Sequence, residues 1–233
     1  MTAHNHEATS SYGGFGKRLR PLTEDRPKPL IQVGSKTIIE WQIEWLRSQG
    51  IEEIILAVNK LSGVKIFEKL GDGSDYGVKI YYSVEKQPLG TGGAVKNAVR
   101  YVSDDKFIVV YGDIITNMKL KPLIEKLRDE DAIMTIIPYK VERVEVILSN
   151  DYVVDFRERV INIDGGVYGF SRQTLKYFPD KCELKEMLPI LAKMRILKAI
   201  NYKDVYWRAI NTLKDVEEVS REIDSIFKNL ENQ

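Results

Sequence analysis

The chain is 233 residues long, 43% hydrophobic and 30% charged, the make-up of one large folded domain or two small ones and not of a disordered or fibrous polymer. Its 35 Lys and Arg balance 34 Asp and Glu to a net charge of +1, so the basic excess of a general nucleic-acid coat is missing, although a local phosphate site stays open. No apolar run approaches the roughly 18 residues of a membrane span, the opening MTAHNHEATSSY lacks the apolar centre of an export signal, and the single cysteine, Cys182, cannot close an internal disulfide; the expectation is a cytoplasmic protein with no nucleic-acid or membrane partner.

Strands and helices then alternate along the chain. Residues 37–50 place Ile38, Ile39, Gln42, Ile43, Trp45 and Leu46 on mostly apolar helical rows and stop at Gly50. Residues 51–58 are β-rich, 65–70 make a helical turn or two, 78–83 a strand and 92–102 a helix. Residues 107–111 (FIVVY) are a near-continuous apolar strand of the kind covered on both faces. A helix over 120–129, with Pro122 in its first turn, precedes a buried strand over 132–139. Alternation of this length predicts an α/β fold, a mostly parallel sheet flanked by helices. After Tyr139 short strands at 144–148, 152–156 and 166–170, divided by Asn150-Asp151 and Asp164-Gly165, predict a more antiparallel second half. Residues 213–230 form an amphipathic, charge-rich helix, best read as docking on its own domain, which leaves a homodimer open.

The segment Gly13-Gly14-Phe15-Gly16-Lys17-Arg18-Leu19-Arg20-Pro21-Leu22-Thr23 continues into Pro27-Lys28-Pro29-Leu30. Three glycines in four positions let backbone N–H groups approach a ligand, and the cations after them are stiffened by proline; backbone donors with fixed cations suit a polyphosphate. No Gly-Lys-Ser/Thr follows, so this is not a Walker loop, and the G-x-G-x-x-G of a dinucleotide fold is absent.

These residues resemble the signature of the sugar-1-phosphate nucleotidyltransferases, the nucleotide-sugar pyrophosphorylases, and the likeness runs from Gly13 to about Glu218. The family usually has Thr where Lys17 stands. The resemblance implies a Rossmann-like nucleotide-diphospho-sugar transferase fold, with residues 1–12 a polar N-terminal segment and 13–233 one domain, nucleotide half 13–139 and sugar-phosphate half 140–233. It also implies that Gly13, Gly14, Gly16, Lys17 and Arg18 hold the leaving pyrophosphate, and that Lys28 neutralises the region of the α-phosphate.

Further pieces follow. Leu89-Gly90-Thr91-Gly92-Gly93-Ala94 sits between a predicted strand and helix, where glycines would let a flat ring lie on the backbone and a helix start would offer free N–H groups. The family carries its nucleobase pocket there, which assigns Gly90 and Thr91 to the nucleotide. Glu85 falls where pyrimidine users often have Gln. Its carboxylate suits the N1–H and N2–H₂ donors of guanine and so favours GTP, a surface glutamate being the plain alternative. Tyr111-Gly112-Asp113 ends an apolar strand where a parallel sheet opens its ligand crevice, and Asp113 there suits Mg²⁺. Glu158, Arg159, Asn162 and Gly166, with Gly112, match the acceptor-sugar segment, Arg159 replacing the family's Lys.

Two departures stand out. Relatives open with an apolar central strand, whereas Glu7-Ala8-Thr9-Ser10-Ser11-Tyr12 offers almost nothing to bury, at roughly 1.5–3 kcal/mol per lost large side chain. Near the other end, Trp207-Arg208-Ala209-Ile210-Asn211-Thr212 resembles Trp-x-Asp-Ile-Gly-Thr, but Ala209 replaces the Asp of the metal site. Asn211, two residues on and on the same face of a strand, is the candidate substitute. The implied reaction joins an NTP and a sugar 1-phosphate, with guanylyl transfer to a mannose or heptose 1-phosphate first. Uridylyl or thymidylyl transfer, or a catalytically weak nucleotide-binding regulatory subunit, are the alternatives.

Overall fold

The computed structural model describes residues 7–11, 19–129 and 131–228. Along the chain run β1 (Glu7–Ser11), β2 (Gln32–Val33), β3 (Lys36–Thr37), α1 (Ile38–Ser48), β4 (Glu53–Asn59), α2 (Lys60–Leu70), β5 (Lys79–Glu85), α3 (Gly90–Ala98), β6 (Lys106–Tyr111), β7 (Ile114–Thr116), α4 (Lys121–Lys126) and β8 (Ala132–Lys140). They continue with β9 (Glu145–Ser149), β10 (Tyr152–Arg157), β11 (Val160–Ser171), α5 (Leu184–Lys193), β12 (Leu197–Asn201), β13 (Trp207–Ala209) and α6 (Leu213–Lys228).

Seven strands form one sheet in the order β12-β8-β11-β6-β1-β4-β5. Every neighbouring pair in it is parallel except the two made by β11, so the expected mixed, mostly parallel sheet is present. Its strands feed two cores. Ile54, Leu56, Val58, Ile108 and Val110 point to the side packed by α1, α2, α4 and α6. Ile55, Phe107 and Val109 point to the side packed by α3 and α5. Burial on both faces is why β4 and β6 read as unbroken apolar runs.

The polar N-terminal stretch takes the central slot all the same. In β1, Thr9 is in register with Ile55 on one side and Val109 on the other, and Ser10 with Leu56 and Val110. The backbone ladder selects this position even though the sequence offers no apolar strand.

Local chemistry sets the helix boundaries. The Glu40 carboxylate accepts from both Thr37 N (2.8 Å) and Thr37 Oγ1 (2.6 Å), closing the start of α1. Asn59 Oδ1 accepts from Ser62 N at 2.9 Å, which starts α2 five residues earlier than its apolar periodicity suggests. The periodicity does not reveal α5, which has Pro189 inside it, the edge strand β12 or the short strands β2, β3 and β7. In α6 the apolar stripe Val219, Ile223 and Phe227 is buried, with Phe227 4.9 Å from the Trp41 ring. That stripe packs on its own domain and is not available as a surface for a second copy.

Beyond the β8–β11 ladder the chain projects as a two-stranded arm, β9–β10. An irregularity between Val153 and Asp155 turns Phe156 to the side of Val146 and Leu148, so Val146, Leu148, Val153 and Phe156 share one exposed apolar face. Among the described residues no helix is long and apolar enough to cross a membrane.

Candidate active site

Three segments from distant parts of the chain meet at the carboxyl end of β6. The first is the turn from β6 into β7, which carries Gly112 and Asp113. The second is a short helical turn, Lys28–Leu30, closed by Leu30 N donating to Pro27 O at 2.9 Å; it presents Lys28 between two prolines. The third is the strand β13 and its exit. There Ile210 N donates to Asp113 O at 2.8 Å and brings Asn211 alongside.

The side chains converge. Lys28 Nζ donates to Asp113 Oδ2 at 2.8 Å and to Asn211 Oδ1 at 3.0 Å, with the lysine side chain 15% and the aspartate 30% exposed. A partly buried lysine holding one carboxylate and one amide oxygen is anchored yet reachable, as a cation facing a phosphate must be. Asn211 is fixed from behind, because Asp215 Oδ2 accepts from both Asn211 N (2.8 Å) and Thr212 N (2.7 Å) at the start of α6. Ala209 pairs with Ile114 in the β13–β7 ladder and contributes no ligand atom.

A fourth segment closes this side. In β11 the register shifts between Asp164 and Tyr168, and Gly166 adopts φ +69° against Ile114, whose Cγ1 a Cβ would meet at 2.7 Å. Trp207 Nε1 donates to Gly165 O at 2.8 Å. Asp164 accepts from Gly166 N (2.9 Å) and from the hydroxyl of the fully buried Tyr168. Burial pushes the Tyr111 hydroxyl pKa up, and the charges of Asp164, Asp113 and Glu183 push the same way. Asp164 and Glu183 were not singled out from the sequence. Asp164 is a turn residue by type, and the signal for it is its spacing, four residues before Tyr168 in the glycine-rich stretch.

Glu85, the residue the sequence offers for the nucleobase, ends β5 half-buried, and its Oε2 accepts weakly from Leu89 N at 3.4 Å. Burial raises its pKa, and the nearby Glu183 charge raises it further. The start of α3 differs from expectation. Its N–H groups are not free: Thr91 N and Thr91 Oγ1 donate to Glu183 Oε2 (3.3 and 2.8 Å), and Gly92 N and Gly93 N donate to Cys182 O (2.9 and 3.1 Å). The glycines serve close packing. A Cβ on Gly90 would sit 2.5 Å from Cys182 O, and one on Gly93 2.5 Å from Asp180 O. A neighbouring loop occupies this backbone where a flat ring was expected.

The acceptor-sugar residues are divided. Gly112 and Gly166 are buried beside Asp113 and Ile114. Glu158, Arg159 and Asn162 lie exposed at the base of the arm. Glu158 pairs with Lys140 at 2.6 Å, Arg159 faces Glu145 at 3.9 Å, and Asn162 is in register with Pro138. Among the described residues no hydrogen bond or ion pair links these three to Lys28 or Asp113. Gly13, Gly14, Gly16, Lys17 and Arg18 lie outside the described residues.

Asp113 and Asn211 supply one carboxylate and one carbonyl oxygen converging on a common cation, Lys28 Nζ. That oxygen set fits Mg²⁺, which takes few protein ligands and completes its shell from phosphate and water. Among the described residues no cluster of three His, Cys, Asp or Glu side chains offers a fuller cage.

The chain matches the family described as Nucleotidyl transferase over residues 12–225. It is 31% identical over 230 residues to the mannose-1-phosphate guanylyltransferase of Mycobacterium tuberculosis, across 92% of this chain and 64% of that protein. It is 31% identical over 207 residues to the D-glycero-alpha-D-manno-heptose 1-phosphate guanylyltransferase of Campylobacter jejuni, across 83% of this chain and 90% of that protein. The crystal structure of HddC from Yersinia pseudotuberculosis complexed with GMP-PN is similar with a TM-score of 0.76 at 27% identity, covering 94% of this chain and 99% of that one. The chain spans 60–64% of the length of the mannose-1-phosphate enzymes from Mycobacterium tuberculosis and Candida albicans.

Proposed function

Because the chain belongs to the Nucleotidyl transferase family, we propose that it transfers a nucleotidyl group, guanylyl by preference, from a nucleoside triphosphate to a sugar 1-phosphate. The observation that carries the reading is the meeting of Lys28, Asp113 and Asn211, separated by 85 and 183 residues from Lys28, at the carboxyl end of β6. Ligands of open α/β sheets bind at that end. The names of the relatives from Mycobacterium tuberculosis and Campylobacter jejuni support guanine and a mannose- or heptose-type sugar.

In the proposed reaction an oxygen of the sugar phosphate attacks the α-phosphorus. A new P–O bond forms, the bond from the α-phosphorus to the bridging oxygen breaks, and pyrophosphate leaves with that electron pair. No protein nucleophile is required, since the attacking phosphate is already anionic. The chain's part is positioning and charge neutralisation. Lys28 neutralises charge at the α-phosphate, and Gly13, Gly14, Gly16, Lys17 and Arg18 receive the pyrophosphate. Asp113 and Asn211 would hold Mg²⁺, which would supply positive charge against the phosphates. Glu85 accepts the guanine N1–H and N2–H₂ donors, and Gly112 and Gly166 leave room for the sugar phosphate. Residues 13–139 form the nucleotide side and 140–233 the sugar side of one domain. A single cysteine, which can close no internal disulfide, fits a cytoplasmic setting.

Ala209 favours one other reading, a nucleotide-binding subunit with little turnover of its own. Pyrophosphate release with GTP, UTP and dTTP against a panel of sugar 1-phosphates separates the two. Fastest release with GTP, with the matching GDP-sugar as product, is expected. Nucleotide binding without turnover on any pair supports the regulatory reading and contradicts the enzyme.

A further inference from the structure

We infer that Gln42 is a positioning residue for the Asp113 carboxylate, an inference that rests on the reading above in which Asp113 faces the triphosphate. Gln42 lies in α1 among Ile38, Ile39, Trp41, Ile43 and Trp45 and is 3% exposed. A primary amide in such surroundings is unfavourable unless it is hydrogen-bonded. Its Nε2 donates to the carbonyl of Tyr111 at 2.8 Å and to the carbonyl of Ile114 at 2.7 Å. Those two carbonyls stand on either side of Gly112-Asp113, where the chain leaves β6 and enters β7. One NH₂ group therefore bridges the turn that carries the carboxylate.

The carbonyl of Asp113 itself accepts from Ile210 N at 2.8 Å, one residue before Asn211. The turn is thus held by a helix on one side and by the Asn211 segment on the other, while Lys28 Nζ contacts both side chains. A hydrocarbon of the same length at position 42 keeps the packing of α1 and removes the donor for both carbonyls. The turn then relaxes, and the group it displaces is the Asp113 carboxylate. This explains an amide at a place where the apolar row of α1 calls for none.

The test is a double-mutant cycle of Gln42→Met and Asp113→Ala. The readout is the GTP dissociation constant, measured by calorimetry with and without Mg²⁺, together with kcat and KM for pyrophosphate release. In the Asp113 background, Gln42→Met is expected to leave metal-free affinity within about twofold and to weaken Mg²⁺-dependent affinity about tenfold. It is expected to lower kcat by about ten- to a hundredfold, with KM nearly unchanged. In the Asp113→Ala background, Gln42→Met is expected to change Mg²⁺-dependent affinity by less than about twofold, because the group it positions is gone. Gln42→Leu, which likewise removes the donor and buries no charge, replaces the methionine variant if that one fails to fold, with the same pattern expected. Equal losses in both backgrounds, or an unchanged kcat and Mg²⁺ response, overturn the inference. Full activity and an intact Mg²⁺ response in Asp113→Ala alone contradict the underlying reading of Asp113 instead.

Discussion

Glu85 is a carboxylate that the folded chain holds against its own stability. It is half-buried, its contact from Leu89 N is long at 3.4 Å, and burial followed by the Glu183 charge raises its pKa from the ordinary glutamate value. An acid with a raised folded-state pKa destabilises the fold at pH above that value. The penalty fades as pH falls through it and is gone below the unfolded value. Glu85→Gln is therefore expected to raise the thermal midpoint of the unliganded protein at pH 7, with the gap closing below about pH 4.5. The same change is expected to cost the preference for GTP over UTP by about tenfold or more, since the acceptor pair for guanine is lost. A lower midpoint at pH 7 contradicts the burial argument, and an unchanged GTP/UTP ratio contradicts the guanine assignment. Lys28, Asp113 and Asn211 could each be picked out in the sequence by residue type and by likeness to a signature, and the structure brings them within 3.0 Å of one another through Lys28 Nζ. Glu183 could not be picked out, because a helix-start glutamate looks the same wherever it falls, and the one mark on Asp164 is its spacing before Tyr168.

At the scale of elements, legibility followed burial. Strands β4 and β6, covered on both faces, read as apolar runs, and α1 read from its periodicity and from Gly50 beyond its end. The start of α2 depended on a single Asn59 cap, and α5 was masked by Pro189. The Gly90–Gly93 turn is crowded on its Cβ side. Glycine marks close backbone approach without saying what approaches, and here it is the chain at Asp180 and Cys182. The strongest conflict between sequence and position is β1, a polar strand between two apolar neighbours. A valine at position 10, in register with Leu56 and Val110, is expected to stabilise the protein by about 1–2 kcal/mol. For a chain of this length that is a rise of roughly 2–8 °C in thermal midpoint. A fall in midpoint for Ser10→Val shows that the slot is matched to a polar residue.

Across the whole molecule, the alternating strands and helices required a sheet covered on both sides, and two separate cores satisfy that requirement. Crossing from β6 to the antiparallel β11 places the carboxyl end of β6 next to the register shift at Asp164–Tyr168 and next to β13, so one crevice receives residues from the start, middle and end of the chain. The same ladder places Glu158, Arg159 and Asn162 at the base of the arm, a consequence of register that local sequence does not contain. The central claim is that Lys28 and Asp113 face a triphosphate together in this crevice. Its most direct test is GTP-dependent pyrophosphate release, with the preferred sugar 1-phosphate, by the wild type, Lys28→Met and Asp113→Asn. Each variant is expected to lose at least about a hundredfold in kcat while keeping the native thermal midpoint within a few degrees. Release within about twofold of wild type in either variant would contradict the account.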